Sequence, residues 1–331
     1  VSQSRSGEDV YEVAEPRTDV FSSGCTLLDC VLGGGWAYSR VANIIGDKST
    51  GKTLLAIEAC ASFAAANPDG RIVYHETEAA FDMDYAASLG LPLDQVEFED
   101  DIDTVEGMFD RLVELMETQQ RVLYVCDSFD ALSDEAEKER DVRDGTYGMG
   151  KQKKISELFR RQIKAFKRSN VTIMIVSQVR DAINVGFGKK LKRSGGRALD
   201  FYATHALWLA HVGRITVQRK GVKRAIGVNV EAQAEKNKLA APFRTCQFPL
   251  IFNYGVEDLE ANLKWLIEVK RTSEIGLSIE DAKKLKRKVG DLSQEDYDRE
   301  QRNIAPAVVE VWSEIERAFA PKRRKYGTSK A

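Results

Sequence analysis

The 331-residue chain has no apolar run near the roughly 20 residues that a membrane-spanning helix needs. Its opening, VSQSRSGEDV, is polar and lacks the apolar centre of a secretory leader, so we expect a cytoplasmic protein. Five cysteines are present, Cys25, Cys30, Cys60, Cys126 and Cys246, and no two form a C-x-x-C pair. That spacing argues against a zinc site and suits reduced thiols in the cytosol. Cys60 and Cys126 lie inside apolar runs, where cysteine acts as a small core residue. No internal repeat is evident. A net charge of −2 points to no partner by itself.

The near-neutral total hides a segregation of charge. Between positions 149 and 197 there are fourteen basic residues and two acidic ones, a net of +12. Acidic residues gather elsewhere, as in EFEDDID at 97–103. A strongly basic central segment in a soluble chain is the electrostatic footprint of a polyanionic partner.

Apolar runs alternate with helical patterns through the first two thirds of the chain. RIVYHE (71–76), RVLYVCDS (121–128) and VTIMIVSQ (171–178) read as buried strands, and HALWLAHV (205–212) and VNVEAQAEKNK (228–238) as later ones. TVEGMFDRLVELMETQQ (104–120) has helical spacing, and KISELFRRQIKAFKRS (154–169) reads as a strongly basic helix. This alternation predicts an α/β fold, a largely parallel twisted sheet with helices on both faces. From Asp258 the sequence turns charged and helical, which predicts a small helical C-terminal extension. The expected divisions are an N-terminal arm (1–21), the core (22–257), the helical region (258–320) and a basic tail (321–331).

The residues Gly46, Asp47, Lys48, Ser49, Thr50, Gly51, Lys52 and Thr53 spell GDKSTGKT, which fits the phosphate-loop pattern G-x-x-x-x-G-K-S/T. An apolar run, RVANIIG, enters it and a helical segment, TLLAIEACASFAAA, leaves it. Strand, loop and helix is the context the motif requires. Glycines let backbone N–H groups close on phosphate oxygens. Lys52 is placed to reach the β and γ phosphates of ATP, and the Thr53 hydroxyl to sit on Mg²⁺. Asp127, ending an apolar strand, is the expected second acidic partner of the metal. Glu76 and Glu78 follow a strand and are candidates to activate water, while Tyr85 could stack on a purine.

Two long loops follow core strands. ERDVRDGTYGMG (139–150) precedes the basic helix, and VRDAINVGFGKKLKRSGG (179–196) follows Gln178. The second mixes basic residues and glycine with Ile183, Val185 and Phe187, a composition that neutralises phosphates and stacks on or wedges between bases. Lys154, Arg161, Lys189, Lys190 and Arg197 are candidate DNA contacts on this reading.

Together, GDKSTGKT, ETEAAFDMDYAASLGL, VCDSFDAL, the SQVR…GFG…SGGRALDFYAT block and EKNKLAAPF make the chain resemble the RecA-type DNA recombinases of bacteria and phage. The resemblance covers about Ser22 to Tyr254. It implies that Glu78 is the catalytic glutamate, that Asp82 and Tyr85 contact adenine, and that Gln178 senses the γ-phosphate and relays it to the DNA loops. It places Met149 in a first DNA loop, and Arg180, Ile183, Phe187, Gly195 and Gly196 in or beside a second. Lys236 and Lys238 match lysines that reach the ATP of a neighbouring subunit, and Phe201 matches an interface phenylalanine. The activity implied is a DNA-dependent ATPase using ATP and Mg²⁺. It would form helical filaments on single-stranded DNA and exchange strands with duplex DNA, in the cytoplasm of a bacterium or a phage-infected host.

The chain also departs from the family. Its N-terminal helix and polymerisation strand are not recognisable in residues 1–21, the C-terminal region does not match, and a basic tail replaces the usual acidic one. Two rival functions therefore stand beside strand exchange. One is a recombination mediator that assembles on DNA without exchanging strands. The other is a ring-forming repair motor on the same core.

Overall fold

The structure is a computed structural model and describes residues 19–77, 81, 83–138, 150–181, 191–193, 199 and 201–323. Two short strands, β1 (Val20–Phe21) and β2 (Trp36–Ala37), pair antiparallel around α1 (Thr26–Leu32). The core then alternates β3 (Val41–Gly46), α2 (Lys52–Ala66), β4 (Arg71–Glu76), α3 (Met83–Ser88), β5 (Val96–Glu99), α4 (Val105–Met116) and β6 (Val122–Asp127). Next come α5 (Glu135–Lys138), α6 (Gly150–Phe166), β7 (Val171–Asp181) and β8 (Leu191–Arg193). Four strands follow, β9 (His205–Arg219), β10 (Val222–Asn237), β11 (Thr245–Ile251) and β12 (Gly255–Val256). The last helices are α7 (Asp258–Glu268), α8 (Ile279–Lys288) and α9 (Gln294–Ala318).

The large sheet runs β12-β11-β10-β9-β3-β7-β6-β4-β5, with β8 paired to β7. From β9 to β5 neighbouring strands are parallel, and β10 to β12 add an antiparallel edge. The fold is the expected α/β core with a mostly parallel sheet. Strand β6 shows why such strands read as unbroken apolar runs. Leu123 and Val125 face the cluster containing α2, while Val122, Tyr124 and Cys126 face the cluster containing α4 and α6. Burial on both faces leaves no polar alternation to see.

Helix α4 is the simpler amphipathic case. The Thr104 side chain caps it by accepting the Gly107 N–H at 3.1 Å. Val105, Met108, Phe109, Leu112 and Leu115 fall on one buried stripe. Each such side chain contributes about 1.5–3 kcal/mol by leaving water.

The C-terminal helices share the core of the sheet. Leu259, Leu263, Leu266, Ile304, Val308 and Val311 are buried in one cluster with Leu28 and Leu55. Serines 278 and 293 cap α8 and α9, accepting the N–H groups of Asp281 and Asp296. Two long-range ties hold the assembly. The Thr26 N–H and hydroxyl donate to the Asp258 carboxylate at 2.8 and 2.6 Å. Arg244 makes a bidentate pair with Glu316, both contacts at 2.6 Å.

The structure extends two strands well past their apolar cores. β9 and β10 form a hairpin that runs to a turn at Lys220 and Gly221, whose φ angles are 49° and 79°. Positive φ at both central residues is the type I′ signature, which suits the twist of paired strands. Ile215 and Val217 alternate there with Arg214, Thr216 and Gln218, a period-2 pattern masked by the basic residues. Helix α6 begins at Gly150, four residues earlier than its apolar spacing suggests.

Candidate functional site

Four adjacent parallel strands, β3, β7, β6 and β4, end on one rim of the sheet. Gly46 lies opposite Gln178 across β3 and β7, and Asp127 lies opposite Glu76 across β6 and β4. The carboxyl ends of parallel strands are where open α/β sheets bind ligands. The sequence-predicted phosphate loop, metal carboxylate and sensor glutamine are thus brought to one rim.

The loop itself is built from tight turns. Ser49 and Gly51 take φ angles of 58° and 84°. A Cβ on Gly46 would stand 2.5 Å from Thr50 Oγ1 and 2.9 Å from the Leu209 carbonyl, so only glycine fits. Thr50 Oγ1 donates to the Asp47 carbonyl at 2.9 Å, and the Lys48 N–H donates to Asp47 Oδ1 at 2.7 Å. Lys52 is 8% exposed, and its Nζ donates to the Asp47 carbonyl at 2.7 Å. Helix α2 starts at Lys52 with no side-chain cap. Its first-turn N–H groups are therefore directed at the loop, the arrangement that binds phosphate. Thr53 is exposed at the mouth. A cavity of about 930 Å³ opens beside Gly46 to Thr50 and reaches Trp208, Arg214 and Phe252.

Asp127 is held by groups that sequence reasoning did not single out. The buried Tyr74 hydroxyl donates to Asp127 Oδ2 at 2.9 Å. Burial, and then the Asp127 charge, raise the Tyr74 phenol well above its ordinary range, so it stays a donor. The Thr77 N–H donates to the Asp127 carbonyl at 3.0 Å, and Thr77 Oγ1 donates to the Ser128 carbonyl at 2.7 Å. The one available signal was a tyrosine inside the apolar strand RIVYHE. An oxygen donor set of threonine hydroxyl and fixed carboxylate suits Mg²⁺ with several waters.

Lys236 and Lys238 stand at the opposite rim. Lys236 pairs with Ala206 near the start of β9, and the Lys238 N–H donates to the Thr204 carbonyl at 3.2 Å. Gly46, by contrast, lies beside Leu209. Lys236 Nζ donates to the Phe201 carbonyl at 2.7 Å and sits 5.8 Å from the Phe201 ring centre. Phe201 is 71% exposed. Burial, then the charges of Lys236, Lys167 and Arg40, pull the Lys238 ammonium down to about 8. This rim gathers cations around an exposed aromatic ring.

The remaining predicted residues divide in two. Lys154 and Arg161 lie on α6, where they pair with Glu106 at 3.4 Å and Glu157 at 2.5 Å. Among the described residues, neither makes an ion pair with the strand-end rim. Tyr85 falls within α3 and Arg180 within β7. Glu78, Asp82, Met149, Ile183, Phe187, Lys189, Lys190, Gly195, Gly196 and Arg197 lie outside the described residues.

A family model described as the RecA N-terminal domain matches residues 8–257. This chain belongs to the RecA family. The Protein RecA of Nostoc punctiforme is 33% identical over 243 residues, 73% of this chain and 66% of that protein. The Protein RecA of Rippkaea orientalis is 31% identical over 245 residues, 74% and 68% of the two chains. That of Synechococcus sp. strain CC9605 is 32% identical over 249 residues, 75% and 64%. The chain thus spans about two thirds of the length of these RecA relatives. The RecA-family match ends just where α7 begins.

Proposed function

We propose that this RecA-family chain is a DNA-dependent ATPase of homologous recombination and repair. It assembles head to tail on single-stranded DNA and carries out strand exchange with a duplex. One observation carries the reading. The phosphate loop and the Lys236/Lys238 pair occupy opposite rims of one sheet, so the pair serves the loop of another subunit. Opposite complementary rims make a heterologous contact, which propagates into a helical filament or closes into a ring.

Lys52 and the first-turn N–H groups of α2 would hold the ATP phosphates. Thr53 and Asp127 would hold Mg²⁺, which when bound neutralises charge on the phosphates. Glu78 would orient and deprotonate the attacking water. Lys236 and Lys238 of the next subunit would stabilise charge on the transferring group, as arginine fingers do. Gln178, on the rim beside Gly46, would pass nucleotide state to the segment that follows it. Contacts to DNA would be mainly to phosphates, hence salt-sensitive and nearly independent of sequence.

Electron microscopy of the protein with single-stranded DNA, Mg²⁺ and a non-hydrolysable ATP analogue tests assembly. Helical filaments are expected, and closed rings would favour the motor. Joint-molecule formation by the purified protein tests the activity. Filaments that never yield joint molecules would identify a mediator.

A further inference from the structure

We propose that Lys151 and Asp130 are positioning residues that couple the start of α6 and the Gln178 end of β7 to the ATP rim through one turn of backbone. The proposal deepens the functional reading above and rests on it.

The turn is the 3-10 segment Phe129–Ala131, which begins two residues beyond Asp127. Lys151, the second residue of α6, points its ammonium into it. Nζ donates to the carbonyls of Phe129 at 3.0 Å, of Asp130 at 3.3 Å and, at close range, of Leu132. An ammonium has three N–H groups, and two carbonyls of the turn and that of Leu132 just after it are aimed at them. The same Nζ lies 5.2 Å from the Phe129 ring centre. From the other side, Asp130 Oδ2 accepts the backbone N–H of Gln178 in a short contact. Asp130 Oδ1 is buried and has no hydrogen-bond partner among the described residues.

Three elements therefore meet at this turn. Strand β6 brings Asp127, strand β7 brings Gln178, and α6 brings Lys151. Residues 139–149 join α6 one position before Lys151, and residues 182–190 leave β7 four positions after Gln178. These lie within the two loops, 139–150 and 179–196, read from the sequence as DNA-facing. A shift of α6 along its axis must move the Lys151 ammonium against three carbonyls. Those carbonyls lie in or just after the turn that carries Asp130, and through it the Gln178 backbone. If the contacts were only a staple for the start of α6, an apolar side chain could pack there without burying charge. A charge held by carbonyls is directional, so it transmits displacement where apolar packing would slip.

The test uses the full chain and single-stranded DNA, with ATP hydrolysis measured with and without DNA. Lys151→Met keeps length and removes the charge. Asp130→Asn keeps an acceptor for the Gln178 N–H but removes its charge, and Lys151→Arg is the conservative control. Thermal melts and circular dichroism report folding. The expected result for Lys151→Met is an unchanged DNA-independent rate and KM for ATP, with DNA stimulation reduced about tenfold, the worth of one charge-assisted hydrogen bond. Asp130→Asn should lose less, and the double variant should be no worse than Lys151→Met alone, because both act through one turn. Lys151→Arg should restore most of the stimulation. Full stimulation in Lys151→Met, or equal loss of the basal and stimulated rates, overturns the proposal. Multiplying losses in the double variant overturn it as well, and that comparison holds even if Lys151→Met is partly destabilised. A wild-type protein that DNA does not stimulate would instead remove the functional reading beneath it, and the first control shows this.

Discussion

Mixing two inactive variants should restore ATP hydrolysis, if the site is shared between subunits. The register makes the case within one chain. Gly46 lies beside Leu209, while Asn237 lies beside His205, four residues back along β9. At about 3.3 Å per residue the two rims are about 13 Å apart along the strand. A lysine side chain cannot bridge that gap to its own loop. Lys52→Arg keeps a cation for nucleotide binding but displaces it from the Asp47 carbonyl, so it should bind ATP and hydrolyse poorly. Lys236→Ala with Lys238→Ala leaves the loop intact and removes the donated charge. Each should be nearly inactive alone. In an equimolar mixture, half the subunits carry a sound loop and half the neighbours carry sound lysines. About a quarter of the head-to-tail interfaces are then complete, so turnover should recover to about a quarter of wild type. The recovery should follow a symmetric curve peaking at equal proportions. The assay is phosphate release on single-stranded DNA across mixing ratios, with co-assembly checked by microscopy. Silence at every ratio, in mixtures that do co-assemble, would falsify the shared site.

Three further outcomes follow from the geometry. Tyr74→Phe removes the donor to Asp127 while keeping the ring, and the Mg²⁺ needed for half-maximal hydrolysis should rise about tenfold; an unchanged Mg²⁺ titration refutes this. Burial raises Glu58 and Glu257 to about 7 and Asp29 to about 6. The folded state then keeps protons that the unfolded chain has lost, so stability should fall as pH rises from about 4.5 to 7. A melting temperature that climbs over that range contradicts the reading, and Glu58→Gln should flatten the slope. Leu263→Ala, in the cluster that α7 shares with α1 and α2, should cost about 3 kcal/mol in urea unfolding. A cost below about 1 kcal/mol would mean the helix contributes little to that core.

The rim was legible in the sequence because its chemistry is local. A phosphate loop is eight consecutive residues, and Asp127 and Gln178 each end an apolar run. The groups that fix them were not legible. Tyr74 meets Asp127 across 53 positions, and Asp130 meets Gln178 across 48, so only the sheet order unites them. The hairpin was missed for a different reason. Basic residues on its exposed edges dilute the apolar alternation of Ile215 and Val217, and the turn at Lys220–Gly221 lacks the usual asparagine or aspartate. The C-terminal helices were visible as helices, since serine caps and spacing are local. That they complete the core of the first helix could not be read, because the partners are more than two hundred residues apart.

The join between Thr26 and Asp258 sets an order on synthesis. A nascent chain that has just emitted residue 257 holds every strand of the sheet, yet the first helix still lacks its cover. Leu27 and Leu28 have no Leu263, Ile304 or Val308 to meet until residues 258–308 have left the ribosome. Contacts of such long sequence separation form late and slowly. The segment that the family shares is thus not a unit that matures on its own here. Residues 258–318, beyond that segment, act as a lid on an otherwise open apolar face, and a ribosome paused near position 257 should draw chaperones to it.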